Sequence, residues 1–128
     1  MPPSTSPPAP TAPRPRRDAG RRSTTADELG NQLWAKVLAA TGSLEIHDNC
    51  EQQLRAIVQK GTERMFRQGR TTAQDIALAE ENIERLVGLM KHQAELLGHP
   101  QWLGEDTLGE ATKALQVMRF ELWPFWPW

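Results

Sequence analysis

Long apolar runs are missing from this chain. Nowhere do 18 apolar residues follow one another, so no membrane-spanning helix is expected. The first residues carry no apolar stretch of the kind a secretory signal needs, and a twin-arginine signal fits no better. Cys50 is the one cysteine, so no disulfide can form within the chain and a reducing, cytoplasmic setting is expected. Motifs that carry chemistry are also lacking. There is no glycine-rich phosphate loop and no G-x-S-x-G nucleophile turn. No His-x-x-x-His, Cys-x-x-Cys or Glu-x-x-His spacing occurs to hold a metal. His47, Cys50 and His99 are the nearest approach to a ligand set. Their neighbour His92 follows Met90 by two positions, about 200° round a helix, and so diverges from the core stripe that carries Cys50. No catalytic residue, metal or cofactor is therefore expected, and the chain does not read as an enzyme. A metal-binding or enzymatic protein using the His/Cys end ranks third among the readings.

Charges of the two signs nearly balance, with a formal net charge of −1, but they are unevenly placed. Residues 1–24 hold seven of the ten prolines and five arginines, Arg14, Arg16, Arg17, Arg21 and Arg22. Little in that stretch can be buried, so it reads as a disordered Pro/Arg-rich arm. The remainder is mildly acidic, which argues against a nucleic-acid face spread over the fold.

What the sequence does have is helical periodicity, and the fold class expected is all-α. Apolar residues at Leu44, Ile46, Cys50, Leu54, Ile57, Val58, Met65 and Phe66 step by three and four. A second stripe carries Ile76, Ala79, Ile83, Leu86, Val87, Met90, Ala94 and Leu97, with Ile76, Ile83, Met90 and Leu97 in heptad register. These predict a long antiparallel hairpin over about 44–68 and 72–97. Gly69 is placed for a left-handed cap, Thr71-x-x-Gln74 for a capping box, and Gly98-His99-Pro100 for a stop. Folding back about residue 70 pairs positions whose numbers sum to about 140. On that register Gly61 faces Ala79 and Val58 faces Ile83. Thr25-x-x-Glu28 opens a shorter helix over about 25–40, with Leu29, Leu33, Trp34, Val37 and Leu38 as its apolar stripe and Ser43 available to cap the next. Thr107-x-x-Glu110 opens a last helix over about 106–122. Residues 25–122 thus read as one bundle-like body.

Residues 123–128 form an aromatic tail. From Phe120 onward lie five of the eight aromatics, Phe120, Trp123, Phe125, Trp126 and Trp128. Pro124 and Pro127 forbid a helix there. Left in water such a tail would promote aggregation, so it is expected to be covered, by its own bundle or by a partner. Tryptophan is a strong interface anchor. The leading expectation is a small non-enzymatic interaction or accessory protein whose tail and basic arm meet a protein partner, with a homodimer able to complete its apolar face. The alternative is a nucleic-acid-associated protein using the arm and a basic strip at the hairpin tip, Arg64, Arg67 and Arg70.

Overall fold

The computed structural model describes residues 25–126. The five arginines of the arm and Trp128 lie outside the described residues. Among the described residues are four α-helices, α1 Ala26–Thr41, α2 Asp48–Arg67, α3 Ala73–Leu97 and α4 Glu105–Val117. Two short strands, β1 Glu45–Ile46 and β2 Trp102–Leu103, pair in parallel. No described helix is long and apolar enough to cross a membrane.

Local chemistry sets most of the boundaries. The α1 start is the capping box read from sequence: Glu28 N–H donates to Thr25 Oγ1 at 3.0 Å, and Thr25 N–H donates to Glu28 Oε1 at 3.2 Å. Gly69 and Gly98 both take positive φ, at 67° and 88°. Each lets the next amide reach back into the helix, Arg70 N–H to the Met65 carbonyl and His99 N–H to the Ala94 carbonyl, both at 2.9 Å.

Several expected starts move. The α3 box is Thr72 with Asp75, not Thr71 with Gln74. Ser43 caps nothing, because residues 45–46 are extended and α2 opens four residues later than expected, behind His47. The α4 start lies at Glu105, with Thr107 Oγ1 accepting from Gly104 N–H at 3.0 Å and donating to the Gly104 carbonyl at 2.6 Å. That helix ends at Val117, five residues before the expected Leu122. Arg119 takes a left-handed φ of 55° there, and Phe120 N–H returns to the Leu115 carbonyl at 2.9 Å. A left-handed residue with a side chain costs roughly 1–2 kcal/mol. The turn is offset by what it delivers, since Leu122 and Phe125 enter the core.

Cross-helix pairs give the directions. Gln32 meets Glu80 and Lys36 meets Glu84, so α1 and α3 run parallel. Gly30 lies by Thr62 and Trp34 by Arg55, so α1 and α2 are antiparallel. Asn49 and Gln53 both donate to Glu105, at the start of α4, which runs with α2. Helix α1 packs on both α2 and α3, and α4 packs on α3 and α2. The two long antiparallel helices, 20 and 25 residues, therefore face each other across the bundle. One core joins all four helices, with Leu29, Leu33, Leu54, Met65, Ala79, Val87, Met90 and Leu115 at its centre. The heptad seam stops short of Leu97, which is exposed while Ile76, Ile83 and Met90 are buried, and the α1 stripe stops at Val37, with Leu38 exposed.

Ala79 has no exposed surface, so Ala79→Leu is expected to destabilise the fold by roughly 1–3 kcal/mol through overpacking. Thr72→Ala removes the cap of the longest helix and is expected to cost about 1 kcal/mol. Urea denaturation midpoints measure both. A neutral Ala79→Leu would mean the core around Ala79 is looser than its burial implies.

Candidate functional site: an aromatic strap and a histidine–indole stack

Residues 120–126 do not hang free. They cross the bundle as a strap from α3 to α2, and side chains on those helices fasten them. Phe125 is buried against Gly61. A Cβ added at position 61 would lie 2.6 Å from Phe125 Cε1, so the glycine leaves the space the phenyl ring fills. Gly61 therefore meets the strap and not Ala79. Across the diagonal of the bundle a third segment is needed between α2 and α3, which the sum rule for a close hairpin did not anticipate.

Polar contacts complete the seat. The Asn82 side-chain amide donates to the Trp123 carbonyl, and the Arg64 guanidinium donates to the Trp126 carbonyl. Arg70 lies over the Trp123 ring at 4.2 Å and Arg85 over Phe120 at 4.4 Å. Leu122, Pro124 and Phe125 are buried, while Phe120, Trp123 and Trp126 are half-buried. The Trp123–Pro124 peptide is cis. Phe125 N–H donates to the Leu122 carbonyl at 2.6 Å, closing the turn that carries Pro124.

Of the basic strip, Arg64 and Arg70 are thus engaged by the strap, and Arg67 is exposed. Sequence reasoning did not single out Asn82 or Arg85. Asn82 did leave a signal, a polar residue three past Ala79 on an otherwise apolar stripe. It is 5% exposed, and a buried amide asks for a partner.

The opposite end of the bundle carries the histidines. His47 precedes α2, His99 follows α3, and the β1–β2 pair brings both to Trp102. The imidazoles stack on the indole at centroid distances of 4.0 Å and 3.5 Å, with interplanar angles of 7° and 8°. Gly104 makes room, since a Cβ there would lie 2.6 Å from Trp102 Cζ3. His99 Nε2 is 2.7 Å from Asp106 Oδ2, and Nδ1 is 3.1 Å from the Trp102 carbonyl. Both partners only accept hydrogen bonds, so the ring satisfies both only as an imidazolium. Burial alone would lower the His99 pKa. The hydrogen bonds to Asp106 and to the Trp102 carbonyl outweigh it, and the pKa is raised. Burial likewise pushes Asp106 up, but the His99 and Thr107 hydrogen bonds hold it below its ordinary value.

Cys50 is close enough to feel Asp106 and Glu105, yet its thiol is pushed up to about 12, first by burial and then by those two carboxylates. It remains a protonated, buried thiol. Among the described residues, no three His, Cys, Asp or Glu side chains converge as a metal site would require. His92 is exposed on α3, away from the stack. No family model matches the chain, and no curated protein or solved structure matches it either.

The ion pair has a defined pH window. A raised His99 pKa gives stability that is whole below about pH 6.5 and is lost as pH rises through the folded value. A lowered Asp106 pKa gives stability that is present above about pH 3.9 and is lost as pH falls through the folded value. Stability should therefore decline in the wild type as pH rises above about 6.5, and Asp106→Asn should flatten that slope. Urea midpoints across the range measure it. An unchanged slope in Asp106→Asn would remove the pair as its source.

Proposed function

We propose that this chain is a small non-enzymatic interaction protein, a helical scaffold that presents its aromatic C-terminal segment and basic N-terminal arm to a protein partner. A cytoplasmic setting is part of that reading, in keeping with one buried thiol and no disulfide. The observation that carries it is the make-up of the strap's outer side. Leu122 and Phe125 anchor it inward, and this fixes half-buried Trp123 and Trp126 on the surface beside Arg64 and Arg70. Tryptophan and arginine are the residues that most often dominate binding energy at protein interfaces, and they do so best when held rigid beforehand. The nucleic-acid alternative keeps the arm and Arg67, with the other two strip arginines committed to the strap.

The test is affinity capture with the full chain and with Trp123→Ala/Trp126→Ala, which removes the two half-buried rings and keeps Leu122 and Phe125 as anchors. Loss of a captured protein partner by tenfold or more, about 1.4 kcal/mol, is expected in the double variant. Equal capture by both proteins would overturn the reading. Retention that collapses as salt rises and disappears on nuclease treatment would instead favour the basic arm on nucleic acid.

A further inference from the structure

We infer that the slot between α2 and α3 is an exchangeable receptor site, which accepts residues 120–126 of a second copy as well as those of its own chain. Two copies would then join by swapping their straps. This rests on how the strap is held and not on the proposed partner.

Every fastening described above comes from a helix or helix-end side chain, or from a missing one, acting on the strap. Gly61 vacates a space shaped for a phenyl ring. Asn82 and Arg64 donate to two strap carbonyls, and Arg70 and Arg85 cover two strap rings. Side-chain donors aimed at the carbonyls of a proline-containing turn, with a glycine-made space for its phenyl ring alongside, hold the segment by contacts that do not require it to belong to the same chain. The strap is thus a ligand tethered to its own receptor.

The tether is short and its position is suggestive. Helix α4 ends at Val117 and the chain turns at Met118 and Arg119, the latter in the left-handed region at φ 55°. Relaxing that one residue toward the helical region redirects everything after it. Val117 and Met118 are 83% and 54% exposed, an apolar pair at the hinge that the closed form leaves in water. In an exchanged dimer the two hinges would run beside each other and could cover these side chains. The fastening contacts are identical in the closed and exchanged forms, so the balance rests on the hinge and on concentration, which is what makes exchange a low-cost route to a dimer. A second copy is the occupant because the strap itself is the segment the slot is seen to fit.

Two full-length variants separate slot from strap. Gly61→Ala fills the slot and leaves the strap intact; alanine also favours a helix, so α2 should survive the change. Phe125→Ala empties the strap of its anchor and leaves the slot intact. Each alone should remain helical by circular dichroism and be monomeric by light scattering. Mixed in equal amounts, the strap of the first meets the slot of the second, and a 1:1 heterodimer should form at least about tenfold more tightly than either homodimer. Asn82→Ala is a second slot lesion and should replace Gly61→Ala in the mixture. Wild type should show a small dimer fraction that grows with concentration. The inference is overturned if helical variants stay monomeric when mixed. It is equally overturned if the Gly61→Ala/Phe125→Ala double variant dimerises with wild type as readily as the singles do with each other.

Discussion

A phenyl ring against a bare stretch of helix backbone sits between the two longest helices of this protein. Phe125 rests where Gly61 has no side chain. Because α2 and α3 lie across the bundle from each other, neither α1 nor α4 alone fills the space between them at that level. The strap fills it, and the cost of turning the chain at Arg119 is repaid in the core. The polar fastenings follow from the same placement. Once Phe125 is seated, the carbonyls of Trp123 and Trp126 fall beside Asn82 and Arg64. Both are groups that would otherwise face water or go unsatisfied.

The bundle is closed by aromatics at the other end too, in a different manner. There a two-residue parallel strand pair carries Trp102 between the start of α2 and the end of α3, and two imidazoles stack upon it. One end is held by shape and cation–π contact, which depend little on pH. The other is held by an imidazolium–carboxylate pair, which depends on it. Two of the histidines that a ligand search would gather from sequence, His47 and His99, are brought together on Trp102, but the ring nitrogens of His99 are turned to a carbonyl and a carboxylate.

Much of the fold was legible because it is written in short-range terms. The stripes through Leu54 and Ile83, the Thr25–Glu28 box, and the glycine stops at 69 and 98 each depend on partners within one or two helical turns. Errors entered where two nearby residues compete for one role, as with Thr71 and Thr72, or where a distant partner decides. The strand pair that delays α2 to Asp48 joins residues 45–46 to 102–103. The strap is fastened by contacts such as Arg64 to Trp126, 62 positions apart. No local propensity encodes that distance. The tail's need for cover could be read from its composition; the place of its cover could not, although Asn82 on an apolar face was a visible clue.

The stack at Trp102 also has an optical consequence. An excited indole in van der Waals contact with a protonated imidazole passes it an electron and returns to the ground state without emitting. His99 stands in that contact, and its hydrogen bonds to Asp106 and to the Trp102 carbonyl favour the protonated form, so Trp102 is placed to be quenched. Trp34 and Trp123 lie instead against arginines, Arg55 and Arg70. The protein thus carries a built-in spectral division of labour. The Trp102 share of the emission should rise as His99 loses its proton.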